Sequence, residues 1–426
     1  PYLQKVRTPD EHSYIDPRRM PQKLTVTLTA NAVTAWSIAP VKWTARTCGD
    51  KKTNPGPSVF KTADGSALRH PQIKAMAVFN NRLWFAADDV VFSSQVGAYE
   101  NLFFNDPSNI VSTDPIDIRA SSNQYAEITS MVPFDDYLFI DTKAKTQFQL
   151  LAPSSQVIGP TNVAIAPVTY YSTAPITYPV LIGSRLYFFG PQRLYLYAGK
   201  NSMGYSSAVE VSSAAAGYLP TNYRAICTAP AQDTIVMVSE ENPNQIYFNT
   251  SRFSAERIIQ NSFYRYVTNS LYNIQSVQSY KNYLYAVVKI NNPSETSGVQ
   301  LMIMRTKMLY EETNVPRMDT MFKVKLIENS NVSYDPSTDV TTFTLPSIGY
   351  TTETTRFVLA YPWTLDSGED ISLTVLQDIE AGTSSLLPNL TFNVKGNYLP
   401  TGNDSANYLY VGIPFITRIQ LSTLFV

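Results

Sequence analysis

Apolar and polar residues alternate in short runs along the chain, and one such run occurs five times. It places Leu or Ile beside aromatic or β-branched residues just after a polar pair, as in NNRLWF at residues 80–85. The runs are centred on Leu83, Leu138, Leu186, Ile235 and Leu284, at spacings of 55, 48, 49 and 49 residues. An isoleucine upstream of each run recurs at nearly the same spacing, at Ile73, Ile128, Ile176, Ile226 and Ile274. A period near 50 residues built from short strands predicts the blades of a β-propeller.

A second strand-like run follows each repeat, at residues 90–94, 146–150, 193–197, 245–249 and 299–304. We therefore expect an all-β protein with a propeller of five blades. A sixth blade would require residues 23–60 and the chain beyond residue 310 to share one sheet. The wealth of Tyr, Phe and Pro, at 28, 20 and 28 residues, fits strands and turns better than helices.

The same pattern predicts three regions. Residues 1–60 form an N-terminal segment that is partly strand and continues from a missing upstream region, residues 61–325 form the propeller, and residues 326–426 form a smaller β-sandwich or barrel, itself incomplete. Residues 104–126 lengthen the first repeat, residues 200–222 are expected to be a surface loop, and residues 310–321 a linker. The best short helix candidate is residues 251–262.

The repeats also predict which side chains have structural roles. Side chains of the repeated runs should form the blade core, and three residues near 115 should shape a turn beside a contact between blades. The residues assigned to these core and turn roles are Leu83, Trp84, Phe85, Asp114, Pro115, Asp117, Pro133, Phe134, Leu138, Phe139, Phe148, Leu186, Tyr187, Phe188, Ile235 and Leu284.

Charge and motifs argue against several classes of function. The formal net charge is −1, and the lysines and arginines form no basic stripe of the kind that grips nucleic acid. His12 and His70 are isolated, and no CxxC, HExxH, GxSxG or Walker sequence occurs. We therefore expect no cofactor and no metal. Cys48 and Cys227 fit free thiols best, with a single long-range disulfide as the alternative.

Carboxylate clusters leave one enzymatic alternative. Asp88–Asp89, Asp135–Asp136 and the Asp114/Asp117 pair could serve a propeller-type glycoside hydrolase acting on host surface polysaccharide, if the acids converge within about 5–10 Å. The position before the repeated run is occupied by Asn81, Asp136, Ser184, Asp233 and Asn282 in turn. A turn tolerates that exchange, whereas a catalytic acid does not, so turn chemistry is the favoured interpretation.

Several phrases, in a fixed order over about 400 residues, resemble the tail nozzle protein (tail tubular protein B) family of short-tailed bacteriophages. They are MPQKL at 20–24, Trp43, Arg46, Gly49–Asp50, TNPGPSVF at 53–60, NNRLWFAADDVVFSSQVGAYENLFF at 80–104, DPIDIRASS at 114–122, VPFDDYLFIDTKAKTQFQL at 132–150, YDPSTDVTTFTLP at 334–346 and GIPFITRIQLS at 412–422.

The resemblance implies a non-enzymatic virion protein of the phage tail. It implies a homo-oligomer, a hexameric ring, below an adaptor protein, with tail fibre proteins held on its outer faces. Genomic DNA would pass through the ring without specific binding, and no membrane is involved. Family members are longer than this chain, which fits two missing terminal regions.

Overall fold

The computed structural model describes residues 20–30, 32–41, 57–60, 71–120, 125–143, 145–152, 157–174, 177–200, 206–215, 217–254, 257–268, 272–291, 298–308, 319–346, 358–363, 372–375, 389–400 and 408–413. Within them the chain folds almost entirely into strands, with short 3-10 helices at Ser58–Phe60, Ser213–Ala215 and Pro230–Gln232. The all-β prediction is confirmed. No described helix is long and apolar enough to cross a membrane.

Residues 75–267 form four consecutive four-stranded antiparallel sheets, each strand beside the next in sequence. Sheet 1 contains β3 (Ala75–Phe79), β4 (Arg82–Ala87), β5 (Val90–Ser93) and β6 (Asp117–Arg119). Sheet 2 contains β7 (Ile128–Phe134), β8 (Tyr137–Thr142), β9 (Gln147–Leu151) and β10 (Ala164–Thr169). Sheet 3 contains β11 (Val180–Ile182), β12 (Arg185–Gly190), β13 (Arg193–Lys200) and β14 (Ser206–Glu210). Sheet 4 contains β15 (Tyr223–Ala229), β16 (Thr234–Ser239), β17 (Gln245–Ser254) and β18 (Arg257–Val267).

Four further sheets complete the described strands. The N-terminal hairpin pairs β1 (Gln22–Thr29) with β2 (Ala32–Pro40). Sheet 5 has three strands, β19 (Asn273–Tyr280), β20 (Tyr283–Asn291) and β21 (Val299–Lys307). The remaining strands are β22 (Asp319–Lys325), β23 (Val332–Asp335), β24 (Val340–Pro346), β25 (Val358–Trp363), β26 (Ser372–Val375), β27 (Asn389–Lys395) and β28 (Tyr408–Ile413). They form two sheets, in the orders β22-β28-β25-β26 and β23-β24-β27, with one shared apolar core.

The chain divides into two compact units. The first unit comprises Pro1–Glu241 with Phe248–Phe263, and the second comprises Asn242–Tyr247 with Tyr264–Val426. The domain bounds at residues 60 and 325 remain predictions. Among the described strands β1 and β2 pair only with each other, so no sixth blade shared with the chain beyond residue 310 is formed there.

The repeated runs of the sequence occupy one position in the fold. All five lie in the second strand of their sheets, β4, β8, β12, β16 and β20, and the runs that follow them lie in the third strands. The turn before each second strand contains a residue with positive φ: Asn80, Asn81, Asp135, Gly183, Asp233 and Lys281. All but Lys281 are Asn, Asp or Gly, which tolerate this left-handed conformation, and Asp135, Gly183 and Lys281 directly precede the exchanging positions of their repeats.

Two expectations about connecting segments are wrong, and a third falls mostly outside the described residues. Within the helix candidate at 251–262, residues 251–254 belong to β17 and residues 257–262 to β18, because pairing within sheet 4 overrides a weak local helix preference. The expected surface loop at 200–222 contains β14, the fourth strand of sheet 3. The predicted linker at 310–321 overlaps the start of β22, and its residues before 319 lie outside the described part.

Candidate functional site: the junctions between sheets

Adjacent sheets of the first unit pack face to face through apolar clusters. Between sheets 1 and 2 the cluster joins Trp84 and Val91 to Leu138, Ile140 and Phe148, all with no exposed surface. The Trp84 indole nitrogen donates to the Phe79 carbonyl at 2.9 Å, which fixes the ring within its own hairpin. Large side chains buried on both sides of a sheet leave little room for relative movement, because such interiors are close-packed.

A buried arginine, Arg82, lies at the edge of the contact between sheets 1 and 2, the first junction. Arg82 begins β4 and has no exposed surface, and its guanidinium donates to the carbonyls of Ser94 at 2.9 Å and Asp114 at 2.7 Å. It also reaches the carbonyl of Ser112 at 2.5 Å and that of Ile158, which precedes β10 of sheet 2, at 3.4 Å. One side chain therefore joins β4, the long segment before β6, and sheet 2.

The arginine stays charged despite its burial. Burial lowers the pKa of Arg82 to about 10, and the nearby Asp114 carboxylate opposes that shift. Asp114 is itself buried and accepts the Val111 amide at 2.9 Å, which closes the turn before β6. Gly159 lies so close that a Cβ there would meet the Ser112 backbone at 3.0 Å. This junction is thus a tight contact between segments far apart in sequence.

The structure places the predicted turn residues in different settings. Asp114 and Pro115 are buried beside the Arg82 contact, whereas Asp117 is exposed and lies in β6. The prediction that Asp117 shapes a turn is therefore wrong. The Asp117 carboxylate accepts hydrogen bonds from the amide and the hydroxyl of Ser58. It thereby anchors the N-terminal segment, whose Val59 and Phe60 pack on the other face of sheet 1.

The side chains assigned to the core differ in burial. Leu83, Pro133 and Phe134 are half-buried, because they alternate with the buried positions of β4 and β7 or lie at a strand end. This corrects the expectation of full burial for Leu83. The others are at most 2% exposed: Trp84, Phe85, Leu138, Phe139, Phe148, Leu186, Tyr187, Phe188, Ile235 and Leu284.

The second junction, between sheets 2 and 3, is aromatic. Phe139 of β8 approaches Phe188 of β12 at 5.9 Å between ring centroids, and Phe188 stacks on Tyr195 at 5.1 Å. Tyr171, on the connection between the sheets, lies 4.5 Å from Tyr195. Tilted and stacked pairs of this kind contribute beyond the area they bury.

A neutral polar network lines the same junction. The Gln147 amide nitrogen donates to the Tyr171 carbonyl at 2.9 Å and to Asp141 at 3.2 Å. Its amide oxygen accepts from the Thr169 hydroxyl at 2.8 Å and from the Tyr171 amide at 3.1 Å. Asp141 is buried, and burial raises its pKa to about 7 against the opposing effect of its hydrogen bonds with Gln147 and the Thr142 amide. Sequence reasoning missed Arg82, Asp141 and Gln147 as buried groups. A charged or amide residue inside an apolar strand was the available signal.

The candidate catalytic acids Asp88 and Asp136 do not converge. The Asp88 carbonyl accepts from the amide of Ile128, which begins β7, whereas Asp136 follows the far end of that strand. Seven residues of strand separate the two ends by roughly 20 Å, well beyond the spacing of a glycosidase pair. Asp88 and Asp135 have positive φ, as turn residues do.

Four ion pairs lie on the described surface of sheets 1 to 4. The pairs are Arg119–Asp89 at 3.2 Å, Lys143–Glu127 at 2.9 Å, Arg193–Glu210 at 3.0 Å and Arg224–Glu240 at 2.8 Å, one on each of sheets 1 to 4. Among the described residues no group of three His, Cys, Asp or Glu side chains could hold a metal ion. His12, His70 and Cys48 lie outside the described residues, and Cys227 is buried.

These features define an all-β protein of the β-propeller type, built from stacked four-stranded sheets that each carry a surface ion pair. The chain belongs to the bacteriophage nozzle protein family, which matches residues 5–426. The recognised resemblance to a phage tail nozzle is therefore confirmed, and so are the tail of the virion as its location and a structural rather than enzymatic role.

One relative and two solved structures show the range of similarity. The chain is 24% identical over 254 residues to the tail tubular protein gp12 of Escherichia phage T7, covering 58% of this chain and 30% of that protein. The β-propeller domain of Cps50 (Swd1) from Myceliophteria thermophila is 10% identical at a TM-score of 0.34, covering 66% of this chain and 80% of that one. The N-terminal domain of Nup159 is 11% identical at a TM-score of 0.35, covering 79% and 88%. Because both TM-scores are low, the fold assignment rests on the sheets of this chain and not on these two structures.

Proposed function

We propose that this chain is one subunit of a closed ring, hexameric as the family resemblance implies, that surrounds the path of genomic DNA leaving the virion. The observation that carries the proposal is the match to the nozzle family in a chain of net charge −1, and the ion pair on each of sheets 1 to 4 is consistent with it. A conduit must enclose DNA without holding it, and a near-neutral chain with some of its cations in ion pairs favours that.

The physical reason lies in how proteins hold DNA. Each phosphate neutralised by Lys or Arg releases a counterion and adds a salt-dependent attraction. A cation already paired with a carboxylate offers little of that attraction, so a duplex meets low friction. Tightly packed sheets also give a wall that does not deform easily as the duplex passes.

The ring would also dock other tail proteins. We assign one end of the ring to the adaptor protein and the outer faces to tail fibre proteins, on the strength of the family resemblance. Both assignments are tested by co-purification of the chain with each partner from a phage-infected host, followed by imaging of the complex.

The central experiment is to image the purified chain by electron microscopy and count copies around a central channel. A ring wide enough for a duplex, about 20 Å across, is expected, whereas a uniform population of monomers would overturn the proposal. Binding of duplex DNA, measured across salt concentrations, should be weak with a shallow salt slope. Tight binding with a steep slope would contradict a low-friction conduit.

A charge-reversal variant tests whether the ion pairs keep DNA binding weak. Changing Glu127, Glu210 and Glu240 together to Lys leaves three partner cations without their carboxylates and adds three more. We expect this variant to gain DNA affinity that falls steeply with salt. Exchanging both members of each pair, which restores the pairing, should return binding to the level of the parent chain.

A further inference from the structure

The N-terminal hairpin presents an apolar face that the described part of the chain leaves exposed. Every residue of β1 and β2 is exposed. Leu24 lies opposite Ile38, Val26 lies opposite Trp36, and Leu28 lies opposite Val33 beyond a bulge. Residues directly opposite one another in a hairpin share a face, so six large apolar side chains form one surface, the hairpin face.

The hairpin face is large enough to be an interface. Five of its six side chains are 60–69% exposed, and Val26 is 46% exposed. Side chains of this size leave roughly 400–600 Å² of apolar surface, the upper end of what a monomer shows in one patch. One partner in a stable complex contributes about 800 Å², so this face supplies most of what an interface needs. A two-stranded hairpin is also marginal in water by itself, which calls for a covering partner.

A second apolar face lies on sheet 5. Leu301 and Ile303 of β21, the outer strand of that sheet, are 66% and 77% exposed. Ile303 is paired with Val287 of β20, which is also exposed, so these three side chains form the sheet 5 face. The opposite side of β20 carries the buried Leu284 and Ile290, so the sheet is covered on one side and open on the other.

We propose that the hairpin face of one copy of this chain packs on the sheet 5 face of the next copy around the ring. This rests on the proposed function, because it names the contact that would close that ring. The two faces are different surfaces of one chain, and such head-to-tail contacts generate rings when the rotation closes. Packed apolar sheets lie about 10 Å apart, a spacing that the exposed side chains of both faces can fill.

Charged residues occur on only one of the two faces. Lys289, opposite Leu301, and Arg305 flank the sheet 5 face, and the hairpin face has no carboxylate to pair with them. Lys23 is the one charged residue of the hairpin strands, and it lies next to Leu24 and therefore on the opposite face. The proposed contact is therefore driven by burial of apolar surface, and ring assembly should persist in concentrated salt.

The test uses the purified full chain and three variants, with mass measured by light scattering. Trp36→Glu disrupts the hairpin face, Ile303→Glu disrupts the sheet 5 face, and Val78→Glu, at a 60% exposed position of β3, is the matched control. The parent and the control should form the ring, whereas each of the other two should be monomeric. Each variant should remain folded, because the changed side chains are exposed within one chain, but the two monomeric variants should unfold at a lower temperature than the ring-forming parent and control, because assembly stabilises the folded state.

Mixing the two disrupted variants separates this contact from others. Ile303→Glu keeps an intact hairpin and Trp36→Glu keeps an intact sheet 5 face, so a mixture should form dimers and nothing larger. Rings that persist in either single variant, or a mixture that stays monomeric, would overturn the proposed contact while leaving the ring itself standing. A parent chain that is monomeric at every concentration would overturn the ring instead.

Discussion

Sheet 2 packs on sheet 1 and on sheet 3, and different kinds of side chain form the two junctions. Between sheets 1 and 2, a mixed aliphatic and aromatic core is joined by a charged arginine that is hydrogen-bonded to backbone carbonyls. Between sheets 2 and 3, an aromatic core is joined by the neutral amide of Gln147, beside a carboxyl group with a raised pKa. The first junction should therefore be insensitive to pH below about 9, because the pKa of Arg82 is about 10, whereas the second should respond near neutrality.

The largest expected effect is at the charged junction. Arg82→Leu removes the donor but leaves the carbonyls of Ser94 and Asp114 buried, since backbone groups cannot be deleted with it. We expect a loss of about 3–5 kcal/mol in the free energy of unfolding, measured by urea denaturation. Arg193→Leu, at an exposed ion pair, is the control and should change stability by less than about 1 kcal/mol. Equal effects at the two sites would remove the special role of Arg82.

The aromatic junction is tested by Leu186→Ala. Leu186 is fully buried in β12 among Phe139, Phe188 and Tyr197, so the substitution leaves a cavity. The expected loss is roughly 2–5 kcal/mol, again by denaturation. Leu181→Ala is a matched control, because Leu181 is paired with Leu186 but only half-buried, and it should be milder. An unchanged midpoint for Leu186→Ala would mean that the strand register is wrong.

The pH dependence of the aromatic junction is tested at Asp141. Its pKa is raised in the folded protein to about 7, so the folded state holds a proton that the unfolded state has released between about pH 4 and pH 7. That contribution to stability is present below pH 4 and is lost as pH rises to 7, by up to about 4 kcal/mol. Asp141→Asn should flatten this part of the stability profile, whereas Asp136→Asn, in an exposed turn, should keep it. Parallel profiles for Asp141→Asn and the parent would refute the assignment.

The smallest expected effect tests how closely the backbone segments at Gly159 and Ser112 approach each other in the first junction. Gly159→Ala places a Cβ 3.0 Å from the Ser112 backbone and should cost about 1–3 kcal/mol. Gly183→Ala meets nothing within 4 Å but has a φ of +58°, so its cost of about 1 kcal/mol comes from backbone strain. Asn tolerates positive φ, so Asn should be better than Ala at Gly183 and worse than Ala at Gly159 in thermal unfolding. The opposite ranking would mean that crowding does not limit the first junction.

The local pattern of apolar and polar residues was sufficient to predict a strand wherever its partner strands are close in sequence. The runs around Leu83, Leu138, Leu186, Ile235 and Leu284 lie in the second strand of their sheets, and the polar residues before them lie in turns. Hairpin strands and their turns are specified within about 15 residues, so alternation and turn chemistry predict them. The family was likewise identified from ordered phrases, because such phrases survive divergence of the whole chain.

The tertiary structure alone decided what depends on contacts distant in sequence. β6 has three residues and β14 lies in a Ser- and Ala-rich stretch, so only their partners β5 and β13 make them strands. In the sequence Arg82 resembles a surface residue. In the fold it is buried, because carbonyls up to 76 positions away in the chain surround it. The sequence by itself therefore determined the repeated strands, their turns and the family. Burial of polar groups, strand pairing at the sheet edges and the uncovered apolar faces were decided by packing, because they depend on which distant segments exclude water.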